Sequence, residues 1–285
     1  SYQMKPLLRF IKVEHTLFSL PYLFAGAFLA KRDFTDARET GLILLAGISA
    51  RAAGMALNRI IDRRTDALNP RTRQRELPAG RLSLWSAWLL VAVSSAIFVF
   101  SAWLLNPLCF FLSPIPLLAF WAYPFTKRFT PLTHFALGAA WSIAPAGGWL
   151  AVRGNLEGFA PAAILSASVL LWLAGFDIIY ALLDLEFDRA YGIKSLPAKM
   201  GPDWALVVSL ACHIITYTLW IFLGFILNMG PPYFAAMVFV GLMFALEHRF
   251  ARHKPEFAFF RANAIIGFAF LMGIAGSIFS HGSYR

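Results

Sequence analysis

The sequence predicts an all-α, polytopic membrane protein: nine transmembrane helices around a central cavity, with the active site on the cytoplasmic side. Three observations lead there. Of 285 residues, 59% are hydrophobic, only 14% are charged, and long apolar runs recur along the whole chain. Soluble domains carry about 25% charged residues, and a run of roughly 20 apolar residues is enough to cross a bilayer.

In chain order the runs fall at 14–31, 39–57, 83–104, 107–124, 131–152, 161–183, 203–228, 231–248 and 261–280. The first opens directly after a short basic segment and has no cleavage signal, so residues 1–3 ahead of Met4 are set aside as an extraneous remnant. The third and fourth runs are parted only by Asn106-Pro107, and the seventh and eighth only by Gly230-Pro231-Pro232, both turn signals with almost no loop. Nothing is left over for a soluble domain, and a single domain over 4–285 is expected. Cys109 and Cys212 both sit in apolar runs, which suits inert buried thiols better than a disulfide or zinc site.

The net charge of +10 raises the possibility of nucleic-acid binding, but its distribution speaks against it. Lys5, Arg9 and Lys12 precede the first run. Arg59, Arg63, Arg64, Arg71, Arg73, Arg75 and Arg81 follow the second, Lys127 and Arg128 the fourth, and Arg189, Lys194 and Lys199 the sixth. Arg249, Arg252, Lys254 and Arg261 follow the eighth. All of these share one membrane face. Opposite them are only Lys31, Arg32, Arg38, Arg153 and Arg285, with Arg51 inside the second run. Basic residues collect on the cytoplasmic side of membrane proteins. The pattern implies a multi-pass protein of the cell membrane with a cytoplasmic N-terminus, and no nucleic-acid partner.

A weak internal repeat, roughly 4–130 and 131–260, runs beneath this plan. Asp62-Arg-Arg-Thr-Asp66 ends the second run and Leu77-Pro-Ala79 follows. Asp184-Leu-Glu-Phe-Asp188 ends the sixth and Leu196-Pro-Ala198 follows. Two halves that each deliver a D-x-x-x-D to one membrane face suggest a shared site between them.

The acidic residues carry the chemistry. Arg51, Asn58, Asp62 and Asp66 are spaced seven, four and four, which keeps them on one helical face. Arg51 lies about 10 Å deeper than Asn58. Asp177, Asp184 and Asp188 repeat the pattern, with Asp177 the deeper member. Ionisable groups within a span cost on the order of 2.5–3.5 kcal/mol, so they are expected to face a cavity. One D-x-x-x-D alone would read as a solvated helix end. Two, joined by Asn58 and the intramembrane Asp177, read as a site. Paired hard oxygen ligands suit Mg²⁺, which binds through a few carboxylates plus substrate phosphates. His15 and His134, near span ends, are expected to satisfy local polar groups, while Trp and Phe stripes face lipid or pack.

At these residues a resemblance becomes specific. Asn58-Arg-Ile-Ile-Asp62-Arg-Arg-Thr-Asp66 resembles the N-D/R-x-x-D-x-x-x-D signature of the UbiA superfamily of intramembrane prenyltransferases. The segment from Asp177 through Tyr180, Asp184, Asp188, Tyr191 and Lys194 to Ser195 is similar to the second signature of its 4-hydroxybenzoate polyprenyltransferase branch. Tyr123-Pro-Phe-Thr-Lys127-Arg128 resembles a third element, and Ile11-Lys12-Val-Glu14-His15-Thr-Leu17-Phe18 also fits that branch. Arg59 stands where many relatives have Asp, a departure that leaves the metal-binding Asp positions intact.

The resemblance implies Mg²⁺-dependent transfer of a polyprenyl group, from geranyl diphosphate or a longer polyprenyl diphosphate, to 4-hydroxybenzoate in quinone biosynthesis. It implies Asn58, Asp62, Asp66, Asp184 and Asp188 as metal ligands, and Arg63, Arg71, Lys127 and Lys194, with Asn58, as the diphosphate-binding set. Tyr123 would face the allylic cation, Arg51 the acceptor's carboxylate, and Asp177 the phenol or the released proton. Dihydroxynaphthoate, homogentisate, a chlorophyllide, haem or a glycerol phosphate are alternative acceptors in the superfamily. A carrier that binds polyprenyl phosphates without reacting them is the alternative from another class.

Overall fold

The structure is a computed structural model that describes residues 4–12 and 16–281. Residues 1–3, Glu14, His15 and Arg285 lie outside the described residues, so the readings placed on them are not addressed by the fold. The described residues form helices and no strands, as the apolar pattern requires. A chain in lipid must satisfy its backbone groups internally, and an α-helix does so within one segment.

In order, the helices are α1 (Met4–Phe10), α2 (Thr16–Lys31), α3 (Ala37–Leu68), α4 (Leu84–Leu105), α5 (Pro107–Leu112) and α6 (Pro114–Ala122). A 3₁₀ turn, Tyr123–Arg128, leads to α7 (Thr133–Trp141), α8 (Ile143–Arg153) and α9 (Ala160–Ala181). A second 3₁₀ turn, Leu182–Asp184, precedes α10 (Leu185–Tyr191) and α11 (Leu196–Met200). Then come α12 (Pro202–Ile226), α13 (Pro231–Phe250), α14 (Pro255–Phe257), a π turn (Ala258–Ala262) and α15 (Asn263–His281).

Among the described residues, eight helical segments are long and apolar enough to cross a membrane, against the nine expected. The difference is α2, whose 16 residues rise about 24 Å, short of the roughly 30 Å hydrocarbon thickness. Local sequence explains the helix ends. Asp36 and Glu39 form a reciprocal capping box at the start of α3 (2.8 and 3.0 Å). Asn106 ends α4 and caps α5 with its side chain (2.9 Å to the Cys109 amide). Proline opens α5, α6, α12 and α13, where its missing N–H costs nothing.

Packing closes these helices into a ring. α3 lies along α4, α2 along α8, α9 along α12, and α13 along α15, which returns to α2; α7 joins α9 to α6, which packs on α3. The α2–α8 contact is close because Gly26 and Gly148 face the backbone of Pro145 and Leu23. A Cβ at either would sit 2.0 or 1.9 Å from a carbonyl oxygen. In lipid, where tails are as apolar as leucine, such small residues let helices gain van der Waals contact. The outer surface is accordingly apolar, with Trp85, Phe111, Phe225 and Phe279 all exposed. Cys109 and Cys212 are free thiols.

The second acidic stripe departs from the expected geometry. Asp177, Asp184 and Asp188 do not share one unbroken α-helix: α9 ends at Ala181 and Asp184 closes the 3₁₀ turn, with φ −110° and ψ 9°. The first stripe does lie on one continuous helix of 32 residues. The two copies of D-x-x-x-D therefore present their carboxylates from different backbones.

Candidate active site

At the polar end of the ring, basic side chains meet the acidic ones. Asp62 is almost fully buried and receives the Lys127 ammonium at 2.5 Å. Asp66 receives Arg75 at 2.9 Å. Arg71 grips Asp184 with two parallel bonds, 2.8 Å from Nε and 2.5 Å from Nη2, and reaches the Tyr180 hydroxyl with Nη1 at 2.8 Å. Such forked contacts fix geometry as well as charge. Arg71 is partly buried, which opposes its charge, but bonding to Asp184 and the field of Tyr180 and Asp184 outweigh this and hold its pKa above the ordinary arginine value.

The segment after α3 thus ties α3 to the turn between α9 and α10. Asn69 receives a backbone bond from Arg71 (2.9 Å) and donates its amide to Asp184 at 2.8 Å. Thr72 bonds the Asp66 carbonyl at 2.9 Å. On the other side, Gly192 adopts φ 68° and turns the chain out of α10. The following amides are then placed in sequence: Ile193 on the Asp188 carbonyl (2.9 Å) and Lys194 on the Lys127 carbonyl (2.8 Å). Two cations far apart in sequence are brought together by that last bond.

Deeper along α3, Arg51 is half-buried, its Cζ 4.6 Å from the centre of the Trp141 ring. Its Nε has no hydrogen-bond partner. Asn58 donates to the Tyr123 hydroxyl at 3.3 Å, and Asp177 accepts from His134 at 2.7 Å. A cavity of about 260 Å³ is lined by Arg51, Asn58, Asp62, Asp66, Arg71, Tyr123, Lys127, Asp177, Asp184, Asp188 and Lys194. Of the residues selected from the sequence, Arg63 alone is absent from this lining; it folds back onto the Ile60 carbonyl at 2.8 Å. It sits one position after Asp62, so it points off the acidic face, and it is not carried into the reading below. A second cavity, about 270 Å³ and almost wholly apolar, adjoins the first at Ser19, Trp141 and Ala144.

The donor set can be tested against the expected Mg²⁺. Four carboxylates and the Asn58 amide border one cavity, all of them hard oxygen donors. Asp62 Oδ1 is buried without a hydrogen-bond partner, as an oxygen reserved for a cation would be. Among the described residues, no three acidic, His or Cys side chains converge as a ligand cluster. The ion pairs account for this, since Lys127, Arg75 and Arg71 occupy three of the four carboxylates. The residue types fit the ion.

Several cavity residues escaped the sequence reading. Arg75 and Asn69 belong to a loop without periodicity, where only Asn69-Pro70 and the arginine content gave a signal. Trp141 looks like an ordinary packing residue in sequence, and Tyr180 belongs to the second signature but carries no role there; they lie against Arg51 and Arg71, with Tyr180 5.0 Å from Arg71 Cζ. His134 does satisfy polar groups, as expected, but those groups include Asp177.

The sequence pattern of the UbiA prenyltransferase family matches residues 19–277. A 4-hydroxybenzoate octaprenyltransferase of Azotobacter vinelandii is 35% identical over 238 residues, covering 82% of this chain and 79% of that one. The Vibrio cholerae protein of the same name is 33% identical over 258 residues, covering 88% of each. Among solved structures, the apo form of a UbiA homolog from Aeropyrum pernix K1 superposes with a TM-score of 0.82 at 36% identity, over 94% of this chain and 98% of that one. A UbiA homolog from Archaeoglobus fulgidus, bound to GPP and Mg²⁺, shares the fold at a TM-score of 0.73 and 20% identity, over 95% and 98%.

Proposed function

Because the chain belongs to the UbiA prenyltransferase family, we propose that it transfers a polyprenyl group from a polyprenyl diphosphate to 4-hydroxybenzoate, ortho to the hydroxyl, releasing diphosphate. The observation that carries this reading is the polarity of one cavity. Carboxylates and basic side chains crowd one end, and a half-buried guanidinium with an unpartnered, solvent-shielded nitrogen stands at the other.

Arg51 suits a carboxylate because its planar fork can bind both oxygens while Trp141 holds its face. An acid so held presents its far, phenolic end toward Tyr123 and Asn58. At the other end Arg71, Lys127 and Lys194 neutralise charge that grows on the departing diphosphate. Mg²⁺, held by Asp62, Asp66, Asp184 and Asp188 with Asn58, would supply further charge neutralisation there. Heterolysis of the allylic C–O bond leaves a cation that the Tyr123 ring face can stabilise. The ring carbon ortho to the hydroxyl forms the new C–C bond, and the Asp177 carboxylate takes the proton that carbon loses. The adjoining apolar cavity offers the isoprenoid tail a place out of water.

On this reading the acidic end faces the cytoplasm, the side to which most basic residues are assigned, in a single domain built from two related halves. The test is incubation of detergent-purified protein with geranyl diphosphate, Mg²⁺ and either 4-hydroxybenzoate or dihydroxynaphthoate, with products read by mass spectrometry. Geranylated 4-hydroxybenzoate that disappears on chelation is expected. Product from dihydroxynaphthoate alone would overturn the acceptor assignment and keep the reaction class.

A further inference from the structure

His134 stands at the second position of α7, only 2% exposed, with both ring nitrogens engaged. Nδ1 lies 2.7 Å from Asp177 Oδ2, and Nε2 lies 3.1 Å from the backbone nitrogen of Leu196. The second contact fixes the tautomer. A backbone N–H can only donate, so Nε2 must accept and carry no proton. The neutral ring then holds its proton on Nδ1 and donates it to Asp177. The Leu196 N–H, at the first residue of α11, is one of the donors that a helix start leaves without an internal partner. His134 supplies that partner.

The two groups the ring touches come from different segments of the site. Asp177 lines the cavity from α9. Leu196 follows Lys194 and Ser195, on the diphosphate side, in a segment otherwise stitched to Asp188 and Lys127 by the amides of Ile193 and Lys194 (2.9 and 2.8 Å). The imidazole is the third stitch of that segment and the one that reaches across to Asp177.

We propose that His134 is a positioning residue that sets the Asp177 carboxylate with one ring nitrogen and the Lys194–Leu196 segment with the other. This rests on the functional reading above, in which Asp177 faces the acceptor and Lys194 the diphosphate. The two halves of the role are separable. In His134→Asn the amide nitrogen replaces Nδ1 but nothing reaches Leu196. In His134→Gln the longer amide places its oxygen near Nε2 and abandons Asp177. His134→Leu loses both.

Steady-state kinetics with geranyl diphosphate and 4-hydroxybenzoate would read the separation. Loss of one of these two hydrogen bonds, acting through the group it positions, is expected to change the affected KM roughly three- to tenfold. His134→Asn should raise KM for geranyl diphosphate and leave that for the acid within about twofold. His134→Gln should do the reverse, and His134→Leu should raise both. Hydrogen exchange of the 193–197 amides supplies a readout that needs no turnover: faster in the Asn and Leu variants, unchanged in Gln. Equal changes in both KM values across all three variants, or unaltered exchange in His134→Leu, would overturn the proposal. If the wild-type protein makes no product, the functional reading falls while the exchange data still decide whether His134 braces the segment.

Discussion

Replacing Arg51 by methionine should uncouple acceptor binding from stability, with opposite signs for the two. Arg51 is half-buried, its Nε is out of solvent and unpartnered, and no carboxylate faces it among the described residues. Its favourable contact is the Trp141 ring at 4.6 Å, worth about 0.5–2 kcal/mol. Against this stands the cost of a charge partly withdrawn from water without an ion partner, which is at most the several kcal/mol of a fully buried ion. Methionine keeps most of the volume and removes the charge, so unfolding in detergent should occur at an equal or higher temperature. Acceptor binding should move the other way. A bidentate pair contributes about 3 kcal/mol if each hydrogen bond to a charged group is taken at the low end of 1.5–3. At 1.4 kcal/mol per factor of ten this is roughly a hundredfold in KM for 4-hydroxybenzoate. KM for geranyl diphosphate should not change. Arg51→Lys keeps a charge without the fork and should lose about tenfold. The assay is initial rate against each substrate, with thermal unfolding followed by intrinsic fluorescence. An unchanged acceptor KM together with a lower unfolding temperature would refute the reasoning and make Arg51 a structural residue.

Three further outcomes follow from the geometry. Asp62→Asn removes a charge from the carboxylate whose Oδ1 is buried and unpartnered, and should cut turnover by about 10² or more, while intrinsic fluorescence shows the protein still folded. Arg71→Ala breaks the forked contact with Asp184; because both side chains are partly exposed, at 29% and 18%, the stability loss should be only about 1 kcal/mol, but hydrogen exchange across 69–83 should quicken. Gly148→Ala would put a Cβ 1.9 Å from the Leu23 carbonyl oxygen and must push α2 from α8, lowering the unfolding temperature by several degrees, whereas Gly41→Ala, with nothing within 4 Å, should raise it slightly.

Apolar run length determined the helical membrane fold from sequence alone, because a bilayer leaves the backbone few other options. The seven- and four-residue spacings likewise put Arg51, Asn58, Asp62 and Asp66 on one face, since α3 is a single regular helix and regularity is what spacing can report. The same arithmetic misjudged the second stripe, because a 3₁₀ turn at Leu182–Asp184 changes the rotation per residue and leaves no mark in composition. Tertiary structure alone decided the pairings. That Arg75 meets Asp66 and Arg71 meets Asp184 across 113 positions depends on how the non-periodic loop after α3 runs, and that Lys127 meets both Asp62 and the backbone of Lys194 depends on where the 3₁₀ turn after α6 packs. Arg63 shows the same limit from the other side: adjacent to Asp62 in sequence, it is turned away by the 100° that one helical residue imposes. Residue type and period announce which groups a site needs; which of them touch is fixed by contacts between segments that share no local pattern.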